Sequence, residues 1–183
     1  MSIASSWLPE FEAALADEYD HKPRIAALAT LDGGSPRVRN VVCRRVDADG
    51  TIWVASDARS GKNAQLRGCP EAEVAFWLPR RRDQWRLAGT ASILPAERAL
   101  DLWRSMSESA RALFDWPPPG APRDPDSDPD AFPTTPRPGP PPANFEAIGL
   151  SPLVVEHLDL NPHPHRRRRW EAAEGWVERT LNP

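Results

Sequence analysis

Four histidines, two cysteines and 23 basic residues carry most of the chemistry open to this 183-residue chain. His157, His163 and His165 lie close enough together to suggest a metal site, but Pro162 and Pro164 interrupt the one-face spacing that clustered ligands exploit. No metal is expected. Serine and aspartate are plentiful enough for a Ser-His-Asp triad, yet no serine sits in the glycine pattern of a nucleophile elbow. Cys43 and Cys69 are too few for a disulfide framework and lack ligand spacing, so both are expected as reduced, packed thiols. Only Lys22 and Lys62 are lysines, leaving 21 arginines. A planar guanidinium suits phosphate, so each arginine invites an anion-binding reading, although compositional bias accounts equally well for most of them. The run Arg166-Arg167-Arg168-Arg169 divides on a strand into two opposed pairs rather than one patch. With a net charge of -3 and no broad basic domain, nucleic acid is not an expected partner.

The elements that must position such residues are short and mostly extended. Trp7, Leu8, Phe11, Leu15 and Tyr19 recur at helical spacing over Ser5 to Tyr19, and Pro23 ends that helix. Arg24 to Leu31 and Pro36 to Val46 flank the turn Asp32-Gly33-Gly34-Ser35 and predict a hairpin. Thr51 to Asp57 follows as a strand, then a short helix near Ser60 to Arg67, then the strands Glu73 to Leu78 and Gln84 to Leu94. Pro95 opens a helix that runs to about Met106, with a further helical turn or two over Ser107 to Phe114. Between Pro117 and Pro142 there are twelve prolines in 26 residues, a composition that forms neither ladder nor helix, so 117–142 reads as a loop insertion. Leu153 to Leu158, His165 to Trp170 and Gly175 to Leu181 are too short to fold alone and must complete the sheet begun before the insertion. Six to eight strands with few helices and no βαβ alternation predict a mainly β (α+β) chain, a largely antiparallel barrel with peripheral helices, as one domain over 1–183. No glycine loop of the Rossmann or Walker kind is present. No apolar stretch approaches membrane-spanning length and the N-terminus lacks the features of a signal peptide, so a cytoplasmic protein without membrane contact is expected. Eight tryptophans exceed what so small a core needs, which is compatible with some at a subunit interface.

Several segments follow one another in a familiar order: Arg39-Asn40-Val41-Val42-Cys43-Arg44, then Val54 to Lys62 with its Ser60-Gly61-Lys62 turn, then Asp83-Gln84-Trp85 with Gly89. Pro152-Leu153-Val154-Val155-Glu156, His163-Pro164-His165-Arg166-Arg167 and the closing Trp176 to Pro183 complete the series. In these segments the chain resembles the pyridoxamine 5'-phosphate oxidase-like family of FMN-binding split β-barrels. It departs from the family pattern in four places. Arg44 stands for a lysine, Gly61 for an arginine of the Ser-Arg-Lys turn, Leu158 for a flavin-contacting tryptophan and His163 for a substrate-side arginine.

The resemblance implies an antiparallel split β-barrel, FMN as cofactor and a homodimer whose flavin clefts lie between subunits. It implies flavin contacts at Arg39, Asn40, Val41, Val42, Arg44, Ala55, Ser56, Ser60, Lys62, Gln84 and Arg167, with Arg39, Ser60 and Lys62 on the phosphate and Gln84 reaching across the dimer. Arg44 and His165 are the implied substrate-orienting residues, and no dedicated acid or base is required. The implied function is that of an oxidoreductase acting on a small molecule, with a non-enzymatic flavin or deazaflavin binder as the alternative. Arg39 and Arg44 raise a geometric question, because residues five apart on a regular strand face opposite ways. A bulge, a strong twist or separate duties for the two would answer it.

Overall fold

Ala26, Leu28 and Thr30 enter the core from alternate positions of β1 (Arg24–Asp32), and the same two-residue burial period recurs in β4 (Glu71–Leu78) and β5 (Asp83–Ile93). These strands belong to one antiparallel sheet in the computed structural model, which describes residues 6–123, 126 and 131–183. With β2 (Ser35–Val46), β3 (Ile52–Asp57), β6 (Phe145–Asp159), β7 (Arg166–Glu171) and β8 (Arg179–Leu181), the order is β3-β2-β1-β4-β5-β6-β7-β8. A further pairing of β3 with β6 closes the first six strands into a barrel. The 15-residue β6 serves both parts of the sheet: Phe145 to Leu150 pair with β3, and Val154 to Asp159 pair with β7. The strands after the insertion thus join the sheet begun before it.

Local chemistry explains the joints. Gly33 and Gly34 form the two-residue β1–β2 turn with φ of 56° and 86°, a left-handed pair that glycine enters without strain. At Gly89 the register with β6 shifts, and an added Cβ would lie 2.0 Å from the Ser151 carbonyl oxygen. Only a bare backbone fits so close an approach.

α1 (Leu8–Tyr19) has proline in its first turn and packs Trp7, Phe11 and Leu15 into the barrel core, with Phe11 5.3 Å from both Phe76 and Trp85. Ser5, where the sequence predicts its start, lies outside the described residues. α1 is also pinned by charge. Arg168 points inward from β7 and donates to Glu10 of α1 and to His157, whose other nitrogen faces Asp83 at 3.1 Å. The arginine run therefore divides as its strand parity predicts, with Arg167 and Arg169 turned to Glu156 on the other face. His157 is buried in that network, whereas His163 and His165 are exposed, so the three histidines do not converge.

A second, smaller core forms where α3 (Ala96–Ser105) and α4 (Glu108–Ala112) pack on β3 and β6. Trp103, Phe114 and Phe145 meet there edge to face at 4.8–5.7 Å. Two strand expectations are corrected. β6 begins at Phe145 rather than Leu153, because Gly149 is accommodated against Leu94 and Pro152 sits at the Gly89 register shift. The last strand is confined to Arg179–Leu181, because Ala172–Glu174 forms a 3-10 turn and Gly175 and Trp176 take left-handed φ of 66° and 63°. Of the insertion, 124–125 and 127–130 lie outside the described residues. No helix among the described residues is long and apolar enough to cross a membrane.

Candidate functional site

β2 and β3 pair through Cys43 with Val54 and Arg45 with Trp53, which leaves Arg44 as an extra residue at a bulge. Val41 and Cys43 point into the core. Without the bulge Arg45 would follow them inward. With it, Arg45 lies over the Trp53 ring at 4.8 Å on the outer face and Arg44 opens onto a cleft beside it. Arg39 and Arg44 nevertheless stay on opposite faces. Arg39 hydrogen-bonds inward-facing Thr30 and the Leu28 carbonyl at the end of the barrel, so of the three answers the geometry allows, separate duties is the one that fits.

The cleft holds about 400 Å³. Its floor is Asn40, Val41, Val42 and Arg44 of β2 with Ala55, Ser56 and Asp57 of β3, and Lys62 stands at one end on α2 (Gly61–Gly68). The opposite side is Met106, Ala110, Leu113, Phe114, Trp116, Pro117 and Pro119. Seven of the residues implied by the family resemblance thus line one cavity. Arg39 and Ser60 stand beside it. Ser60 accepts a hydrogen bond from Lys62 at 2.9 Å, and Arg39 lies near enough to repel the Lys62 ammonium.

The electrostatics of this end are unbalanced. Arg37, Arg45, Arg59 and Arg67 each pair with a carboxylate, whereas among the described residues Arg39, Arg44 and Lys62 have none within ion-pair distance. Arg39 spends its donors on neutral acceptors, Thr30 at 2.6 Å and Gln65 at 2.7 Å. Burial, reinforced by Arg39, pushes the Lys62 ammonium below the ordinary lysine range, and Asp57 offsets only part of this. Asp57 cannot do more because Arg59 and Asn144 already bind it. Burial alone would raise its carboxyl, but their hydrogen bonds outweigh it and hold it below the usual carboxylate value. No side chain caps α2, and of its first-turn N–H groups that of Asn63 already bonds the Ser60 carbonyl at 3.1 Å, which leaves those of Gly61 and Lys62 for an anion.

Asn63, fully buried on α2, organises the hydroxyls. Its carbonyl oxygen accepts from Ser56 and from Ser60, and its amide donates to Glu146. Sequence reading missed it, together with Gln65 and the part of the apolar side that precedes the proline-rich segment. A polar pair inside an eight-residue helix was the available signal for the first two, and the Phe114-Asp115-Trp116-Pro117 run for the third.

Three implied residues lie elsewhere in the chain. Gln84 is half-buried on the outer face of β5 between Trp77 and Leu158, Arg167 donates to Glu156 at 2.7 Å, and His165 is exposed with Nδ1 3.1 Å from the Pro162 carbonyl oxygen. They share the β5–β6–β7 region and do not reach the Arg44 cleft of their own chain.

Comparison with known proteins puts names to this arrangement. Residues 4–95 match the family model described as pyridoxamine 5'-phosphate oxidase, FMN-binding domain. A pyridoxamine 5'-phosphate oxidase-related, FMN-binding protein from Nostoc punctiforme superposes with a TM-score of 0.89 at 30% identity, covering 97% of this chain and 98% of that one. The pyridoxine/pyridoxamine 5'-phosphate oxidase 2 of Arabidopsis thaliana is 26% identical over 160 residues, 82% of this chain and 80% of its own length. The pyridoxine/pyridoxamine 5'-phosphate oxidase of Sinorhizobium fredii is 31% identical over 111 residues, 60% of this chain and only 52% of its own length.

Proposed function

The chain belongs to the pyridoxamine 5'-phosphate oxidase-like family of FMN-binding proteins, and from that membership we propose that it is an FMN-dependent oxidoreductase acting on a small molecule. The observation that carries the reading is the pair Arg39 and Lys62. Two cations close enough to repel, one of them pushed toward neutrality by burial, are costly to hold together without an anion. A phosphate beside the uncapped start of α2 relieves that cost, and each charge-assisted contact contributes about 1.5–3 kcal/mol. The residues present therefore fit the cofactor.

When bound, FMN supplies a carrier for hydride or electrons between a small molecule and an acceptor such as dioxygen. The chain's own residues do the rest. Arg39, Ser60 and Lys62 grip the phosphate, with Gln65 and Asn63 holding two of them in position. Asn40, Val41, Val42, Ala55 and Ser56 give the ring a floor with main-chain groups to hydrogen-bond, and Arg44 offers a positive charge at its edge. Gln84, Arg167 and His165 lie on another face, so contact between them and a flavin requires a second copy of the chain. This supports the homodimer reading.

One observation favours the non-enzymatic alternative: His163 stands where the family pattern has a substrate-side arginine, so a cation that would hold a substrate is missing. A single experiment separates the readings. Mass spectrometry of small molecules released from the purified protein identifies the cofactor, and anaerobic addition of candidate amines or reduced nicotinamides follows bleaching of its visible absorbance. Released FMN with bleaching supports the oxidoreductase; FMN that no donor bleaches supports the binder; a deazaflavin overturns the cofactor assignment.

A further inference from the structure

The two sides of the cleft differ in kind. Charge and hydrogen-bonding groups belong to the β2–β3–α2 side, while the facing side is built from Met106, Ala110, Leu113, Trp116, Pro117 and Pro119 and presents no polar side chain. Three nearby arginines stand outside the cavity wall, two of them ion-paired and Arg111 with its Nε buried and unpartnered. Arg111 lies over the Trp103 ring at 5.9 Å, Arg59 pairs with Asp57 and Arg137 pairs with Asp115. None lines the cavity. Leu113 is 48% exposed, an apolar side chain left facing solvent at the cleft mouth.

This side is also fixed in place. The Trp116 indole N–H donates to the Pro133 carbonyl at 2.9 Å, and its ring meets Phe132 edge to face at 5.3 Å. Arg59 binds the Trp116 carbonyl, and Asn144 binds that of Phe114, both at 2.9 Å. The three prolines that follow the tryptophan restrict the backbone further. A rigid apolar surface facing a polar floor selects by shape and by exclusion of charge, because an anion set against it has no partner to replace its water.

We propose that the molecule admitted beside the flavin is a phosphate-free compound with a flat apolar body, seated against the Trp116–Pro119 segment, and that Trp116 is a specificity-determining residue. The proposal rests on the reading that this cleft holds FMN. Arg39 and Lys62 then serve the cofactor's phosphate, Arg44 is the one cation left on this chain's cavity wall, and Arg167, which a second copy would bring to the flavin, is itself paired with Glu156. One unpaired cation is too little to seat a second phosphate, which ordinarily takes several donors. The opening of the proline-rich insertion thereby becomes part of the binding site.

The test uses the FMN-loaded wild-type protein and two probes sharing one aromatic body, 2-naphthol and 2-naphthyl phosphate, titrated while flavin absorbance and fluorescence are followed. The expected result is saturable binding of 2-naphthol at least about tenfold tighter than that of the phosphate. Trp116→Ala, with affinity referred to its flavin-loaded molecules, weakens 2-naphthol about tenfold, and Trp116→Phe restores most of the loss. Equal or tighter binding of the phosphate, no binding of either probe, or a Trp116→Ala variant with unchanged naphthol affinity overturns the proposal. If Trp116→Ala fails to fold, the wild-type comparison of the two probes still decides. Failure of the wild-type protein to take up FMN at all overturns the cofactor reading instead, so the two failures are distinct.

Discussion

Lys62 and Arg39 show how much of this site is decided by single side chains. In the flavin-free protein the folded state holds the Lys62 ammonium below its ordinary range, so on unfolding this residue binds protons more readily. Its contribution to stability is therefore unfavourable below the depressed value and is relieved as pH rises from there toward the ordinary lysine value. Phosphate binding acts the other way, because it needs the charged form. FMN affinity is accordingly expected to fall as pH rises, beginning below the ordinary lysine range. Lys62→Arg, which stays charged, should flatten that fall. Fluorescence titrations of FMN across the alkaline range check both, and a wild-type affinity constant to beyond the lysine range contradicts the role. These residues were legible in the sequence through family resemblance, which the Arg39–Arg44 strand and the Ser60-Gly61-Lys62 turn carry. Asn63 was not. Its importance comes from joining the nearby Ser56 and Ser60 hydroxyls to Glu146, 83 residues along the chain, a convergence that no local pattern encodes.

The elements divide in the same way between local and non-local causes. The β1–β2 hairpin follows from its paired glycines, and the helix after Pro95 from the proline at its N-cap, so both were readable. The bulge that turns Arg45 outward beside Arg44 depends on the register with β3, and the first half of β6 on Gly149 and Pro152 being tolerated by particular neighbours. Such tolerance belongs to the partner strand. It makes Gly89 a sharp test of the β5–β6 seam, where an added Cβ would meet the backbone of Ser151 and Pro152 at 2.0 and 2.8 Å. Backbone cannot step aside cheaply, and Gly89→Ala is expected to cost about 3 kcal/mol in urea denaturation. A cost below about 0.5 kcal/mol would show that the seam is looser than described.

On the scale of the whole molecule, the outer surface of the sheet leaves Val38, Trp77 and Leu153 exposed at 67%, 49% and 52%. Trp77 is the cross-strand neighbour of Gln84, so covering this region with a second copy would bury apolar surface and bring Gln84 to a new environment at once. Sedimentation of the FMN-loaded protein is expected to give a dimer, and Trp77→Glu to shift it toward monomer with loss of flavin; a flavin-loaded monomer contradicts the shared-site reading. Such an arrangement was implied by family resemblance and by surplus tryptophan, not by any pattern inside one chain, because an interface is a property of two surfaces. The central claim remains that unpaired cations beside α2 hold a phosphate, and riboflavin, which is FMN without its phosphate, addresses it most directly. Calorimetric titration of the flavin-free protein with each is expected to give FMN an affinity at least about a hundredfold higher, with Lys62→Ala removing tenfold or more of that preference. Equal affinities for the two flavins, or a preference untouched by Lys62→Ala, would contradict the account.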